Sequence, residues 1–136
     1  SLDSERLMKE INKRAVANNR TIKCLLQLHV ADEETKSGFT PDECREFLAT
    51  GNWKKYPGVE LAGVMGMATF TDDKEQIRKE FRLIKSLFDE FKNDYFADSE
   101  AFCEISMGMS GDYPIAIEEG ATIIRVGTLI FGEREY

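Results

Sequence analysis

The sequence predicts an α/β protein with four parallel strands alternating with helices. Two observations carry that prediction. Short apolar runs alternate with stretches of helical periodicity in the order α-βα-βα-βα-β-α, the pattern of parallel strands joined by right-handed crossovers. The 136 residues also fit one α/β domain spanning 1–136, with no linker, repeat or low-complexity tract.

Leu2 to Asn18 reads as the first helix: Leu2, Leu7, Met8, Ile11 and Ala15 recur at helical spacing, with Asp3 or Ser4 as the cap. Ile22 to Val30 is an apolar run suited to a buried parallel strand. Thr40-Pro41-Asp42-Glu43 combines an N-cap, a first-turn proline and a capping-box acid, which starts a helix running to Thr50 and ending at Gly51. Val59 to Met65 is the second strand. Asp72 to Asn93 is a long helix with Ile77, Phe81, Ile84, Leu87, Phe88 and Phe91 on one stripe. Ala101 to Ser106 is the third strand, Tyr113 to Glu119 a short helix closed by Gly120, Thr122 to Val126 the fourth strand, and a last turn follows near Ile130. Two architectures satisfy this order: an open doubly wound sheet, or part of a (β/α) barrel, which needs eight strands.

Composition narrows the function. Eighteen Lys+Arg against 25 Asp+Glu give a net charge of −7, against a general nucleic-acid binder. No apolar run reaches the ~18 residues of a membrane span, and the charged start has no signal-peptide core. Three cysteines without CxxC spacing argue against a disulfide framework or zinc site and suggest a reduced, cytoplasmic setting. The single histidine, His29, leaves little scope for a Cys/His or Ser/His/Asp device.

Parallel α/β proteins bind ligands beyond the carboxyl ends of their strands. The first such end, Ala31 to Gly38, reads as a solvated loop, and the second, Gly63 to Thr69, is rich in small residues. The third, Ser106-Met107-Gly108-Met109-Ser110-Gly111-Asp112, could present backbone N–H groups to an anion such as phosphate, or simply cap a helix with Ser110 or Asp112. It is neither a Walker loop nor GxGxxG. The fourth end, Arg125-Val126-Gly127-Thr128, repeats the small-plus-hydroxyl theme on the adjacent strand. Arg125 lies in an apolar strand and needs a partner, either Glu104 on the neighbouring strand or an acceptor on a ligand.

The run Ile105–Tyr136 (ISMGMSGDYPIAIEEGATIIRVGTLIFGEREY) resembles the C-terminal signature of the pyridoxal-phosphate homeostasis family, also called proline synthase co-transcribed homologues. Gln27–Phe39 (QLHVADEETKSGF) and Leu61–Met67 (LAGVMGM) resemble that family's preceding segments, in the same order. The resemblance implies an alanine-racemase N-terminal-like barrel of which this chain is the C-terminal half, roughly three fifths of the length. It implies a pyridoxal 5′-phosphate (PLP) carrier or regulator of vitamin B6 balance without established turnover. It also implies that Ser106 and the Gly127-Thr128 backbone hold the PLP phosphate and that Arg125 faces the ring nitrogen. The family holds the PLP aldehyde on a lysine within a Val-Ser-Lys-like motif, and that motif does not occur in this sequence.

Two other functions stay in view. One is a racemase-like PLP enzyme completed by another segment or polypeptide, in which Tyr113 is the nearest hydroxyl candidate for a base, with packing on the helix surface as its simpler role. The other is a structural half-barrel module. Because four strands leave open sheet edges, a homodimer covering them is expected.

Overall fold

The computed structural model describes residues 1–136. Helix α1 (Glu5–Ala17) starts at Ser4, whose hydroxyl accepts the Leu7 N–H at 3.2 Å. Strand β1 (Ile22–Leu28) follows, then α2 (Pro41–Thr50), capped by Thr40 and ended by the left-handed Gly51. A 3-10 turn at Asn52–Lys55 leads into β2 (Val59–Gly66). Helix α3 (Lys74–Tyr95) is capped by Asp73, which accepts from the Glu75 and Gln76 N–H groups. Then come β3 (Glu104–Met109), α4 (Tyr113–Glu118), β4 (Ile123–Arg125) and α5 (Thr128–Phe131).

The strands form one parallel sheet in the order β1-β2-β3-β4. Each strand lies beside its sequence neighbour, with no reversal of strand order. Right-handed crossovers between sequential neighbours place every connecting helix on the same face, as in a barrel wall and unlike a doubly wound sheet.

Cys24, Leu26 and Leu28 of β1, Val64 of β2, and Ile105 and Met107 of β3 point to that helical face and join a core cluster of 21 buried residues. Helix α3 is its largest contributor, burying Phe81, Ile84, Leu87 and Phe91 almost completely. Each such side chain contributes roughly 1.5–3 kcal/mol relative to an exposed one. Phe102 stacks between Phe96 at 4.1 Å and Phe88 at 5.2 Å.

Several boundaries differ from the sequence expectation. Leu2 is not helical: it pairs in parallel with Leu26, its N–H donating to Leu25 at 2.7 Å and its carbonyl accepting from Gln27 at 2.8 Å. Phe39 pairs with Leu28 along the same outer edge. The third strand begins at Glu104, not Ala101, and runs on to Met109 through residues expected to be loop. Strand β1 is buried on one face only, since Lys23, Leu25 and Gln27 alternate with the core residues and stay at least partly exposed. Parallel sheets are normally covered on both faces.

Two one-residue bulges re-aim the strands. Ala62 is the extra residue between the pairs Cys24–Leu61 and Leu25–Gly63, and β3 carries one between Ser106 and Met109. Beside the first bulge, Gly63 has φ +146° and its backbone lies against that of Glu104, where a Cβ would fall 1.9 Å from the carbonyl oxygen. No side chain fits that approach.

Candidate functional site

Of the polar groups expected at the strand ends, Arg125 and Ser106 meet on the edge where β2, β3 and β4 finish. Arg125, the last residue of β4, is in register with Met109, the last residue of β3. Its side chain crosses β3 to reach β2. Nη1 donates to Ser106 Oγ at 3.0 Å, and Nη2 donates to the carbonyl of Gly66, the last residue of β2, also at 3.0 Å. One guanidinium therefore ties three strands together.

Glu104 is not its partner. The Glu104 carboxylate accepts the Thr122 hydroxyl at 2.5 Å, and the same hydroxyl accepts the Ile105 N–H at 2.8 Å. Glu104 begins β3 whereas Arg125 ends β4, so the two stand at opposite ends of the strand pair.

Both partners of Arg125 are neutral. Burial pulls the guanidinium below its ordinary pKa, and the charge of Asp112 acts in the opposite direction. A guanidinium carries five N–H donors, of which the protein takes two. The remaining donors suit an anionic or acceptor ligand at this edge. Arginine cannot accept, so Ser106 must be the acceptor and keeps its own O–H to donate elsewhere. Ser106 is 3% exposed, which fixes that hydroxyl among its neighbours.

Gly127 stands at the N-cap of α5 and Thr128 is its first residue, two positions beyond Arg125. The first N–H groups of a helix have no intrahelical acceptor. Across the edge, the Asp112 carboxylate accepts the Met109 N–H at 2.7 Å and shapes the turn into α4, while only its backbone carbonyl bonds the helix start. Tyr113 is the first residue of α4. The groove between the end of α1 and the start of β1, lined by Ile11, Arg14, Arg20 and Ile22 among others, lies at the opposite edge of the sheet.

Sequence reasoning missed two parts of this edge. The Gly66 carbonyl is backbone and carries no side-chain signal. Glu80 on α3 is buried and bonds Thr69 in the loop after β2. Its position between Ile77 and Ile84 put a carboxylate on an apolar stripe, and that mismatch was readable.

The fold and this edge define a class: proteins built on a parallel β/α barrel wall, with polar groups gathered at the strand ends. The chain belongs to the alanine racemase N-terminal domain family, whose model matches residues 1–135. It is 41% identical over 136 residues to the pyridoxal phosphate homeostasis protein of Aquifex aeolicus, covering 100% of this chain and 58% of that one. The human protein of the same name is 34% identical over 141 residues, 50% of its length.

Among solved structures, PipY of Synechococcus elongatus with PLP bound superposes with a TM-score of 0.81 at 30% identity, covering 97% of this chain and 59% of that one. The form without PLP gives 0.86 at 31%. An alanine racemase of Clostridium difficile shares the fold, with a TM-score of 0.62 at 15% identity. The chain thus spans between half and three fifths of these pyridoxal phosphate homeostasis and PipY proteins.

Proposed function

We propose that this chain carries the phosphate and ring-nitrogen side of a PLP site and serves a carrier or regulator of vitamin B6 balance rather than a turnover enzyme. The observation that carries the reading is Arg125, a half-buried cation held by two neutral acceptors at the ligand-binding edge of a parallel sheet. The names of the similar proteins, and the PLP in the PipY structure, support the choice of ligand.

The residues fit that group. Ser106, with its O–H not spent on Arg125, and the Gly127 and Thr128 N–H groups would supply donors to the phosphate. Arg125 would face the pyridine nitrogen and would disfavour its protonation by like-charge repulsion. PLP supplies an electrophilic aldehyde and an electron-withdrawing ring when bound. An arginine at the ring nitrogen weakens that withdrawal, which suits storage better than broad transamination.

The aldehyde has no assigned lysine here. Lys23 sits near the start of β1, at the wrong end of the strand. Lys36 in the loop after β1 bonds Glu43. We therefore expect weak, non-covalent PLP binding by the chain alone. Equilibrium dialysis with PLP, followed by borohydride reduction and mass mapping, tests this. Saturable binding that Arg125→Met weakens, with no reduced adduct on any lysine, supports the site. Equal binding by Arg125→Met overturns the residue assignment, and an adduct on a lysine of this chain overturns the non-covalent reading.

Residues 1–136 form a single α/β domain in this reading, one part of an incomplete barrel. The uncovered face of β1, with Leu129, Ile130 and Phe131 of α5 at 63%, 65% and 85% exposure, favours association of the isolated chain. Two copies related by a two-fold axis would cover these surfaces and the open β4 edge, since Leu2 and Phe39 already pair along the outer edge of β1. Light scattering that shows a monomer at high concentration sinks this part.

A further inference from the structure

We infer that Glu80 is a positioning residue: from α3 it ties together the loops that follow β1 and β2, and so sets the rim of the edge that holds Arg125. Only the binding consequence rests on the function proposed above.

Glu80 is 7% exposed, and its carboxylate meets no cation. All of its partners belong to Thr69. It accepts the Thr69 hydroxyl, and it accepts the Thr69 N–H at 3.2 and 3.3 Å to its two oxygens. A carboxylate can only accept, so the Thr69 hydroxyl must spend its single proton on Glu80. Its lone pairs are thereby turned outward, where Thr69 Oγ1 accepts the Asp32 N–H at 2.8 Å. The chain of bonds has one direction, Asp32 to Thr69 to Glu80, and joins the two loops through α3. A second tie runs parallel to it: the Glu33 carboxylate accepts the Phe70 N–H at 3.3 Å.

The latch is coupled to the site through a short stretch of backbone. One turn along α3, Ile84 lies against Gly66, where a Cβ would fall 2.5 Å from Ile84 Cδ1. The Gly66 carbonyl is the one that receives Arg125 Nη2. Helix α3 thus grips the run from Gly66 to Thr69 at both ends, by packing at the first and by hydrogen bonding at the second. Burying a carboxylate without a cation is costly, and an apolar residue at this stripe position would add to the core instead. A residue that forgoes core packing to bond one loop threonine is placed to hold that loop.

The test uses the 136-residue chain and four variants. Thr69→Val removes the hydroxyl at nearly constant shape, Glu80→Gln replaces one acceptor oxygen by an amide donor, and Thr69→Ser restores the hydroxyl. Leu87→Ala, two turns along α3 and away from the loops, controls for lost stability. Amide exchange at Asp32 and binding of PLP and of inorganic phosphate are the readouts.

Thr69→Val and Glu80→Gln should speed Asp32 exchange and weaken binding roughly threefold to tenfold, and Thr69→Ser should restore both. Leu87→Ala should lower the melting temperature and leave both readouts unchanged. Unchanged Asp32 exchange in Thr69→Val overturns the latch. Faster exchange with unchanged affinity overturns its role in binding. If the wild-type chain binds neither PLP nor phosphate, the proposed function fails, and the exchange data alone decide the latch.

Discussion

Arg125 Nη1 donates to Ser106 Oγ at 3.0 Å, so the last residue of β4 is anchored on the middle of β3. Arg125→Met keeps the aliphatic stem and deletes the cation. PLP binding should weaken at least tenfold, the scale of one charge-assisted hydrogen bond, and inorganic phosphate, assigned to Ser106 and the Gly127-Thr128 backbone, should weaken less. The thermal midpoint should move little, because removing a half-buried cation also removes its desolvation cost. Arg125→Lys should not rescue binding: a single ammonium cannot hold the forked geometry that reaches Ser106 and Gly66 together. Calorimetric titration of the three proteins checks this, and full binding by Arg125→Lys would refute the fork.

Gly63 should be the least replaceable residue of β2. An alanine there meets the Glu104 carbonyl at 1.9 Å and adopts φ +146°, where L side chains rarely go. Gly63→Ala should cost at least about 3 kcal/mol, read as a fall in the urea midpoint, or prevent folding. Val64→Ile, on the neighbouring core position, should cost far less, and comparable losses would remove the close approach as the reason.

The same glycine shows what sequence could and could not reveal. The alternation of elements and the long stripe of α3 follow from local periodicity, so the strands and helices were legible. The strand ends near Ser106 and Arg125 were legible because small and hydroxyl residues cluster there. The bulges were not, because they arise from how two backbones meet: Gly63 against Glu104, and Gly108, whose φ of +100° lets it pack on Ala116 inside a strand. A glycine there reads as a loop signal, so the sequence pattern ends β3 at Ser106 where the strand runs on to Met109. Conversely, Phe102 looked like a strand residue, but its ring is held between Phe88 and Phe96 just before β3 begins. Arg125 needs a partner because it lies in an apolar strand, yet the partner on β2 is a backbone carbonyl that no side-chain pattern announces.

The three thiols should separate sharply in reactivity. Burial pushes the Cys44 thiol up to about 12 and raises that of Cys24, whereas Cys103 is exposed. The thiolate is the reactive form, so a disulfide reagent near pH 8 should label one cysteine quickly in the folded chain and three after denaturation. Peptide mapping should place the fast label on Cys103. Rapid labelling of Cys44 without denaturant would show that the α2 face opens in the native state.

Glu119, at the end of α4, joins that helix to α3. Its carboxylate accepts from Arg78 at 2.7 Å and from Arg82 at 3.1 Å. The Arg78 hydrogen bond, with Arg82 assisting, holds Glu119 below its ordinary value of 4.5. A carboxyl group that is more acidic folded than unfolded adds stability above the unfolded value. That contribution disappears as the pH falls through the lower, folded value, because both states are then protonated. Wild type should therefore be more stable than Glu119→Gln near neutral pH, with the gap closing as the pH drops below 4.5. Urea midpoints of the two proteins across that range give the comparison. A gap that stays constant into acid would mean that Glu119 stabilises the α3–α4 contact by packing and neutral hydrogen bonds, which the amide retains in part, and not by its charge between the two arginines.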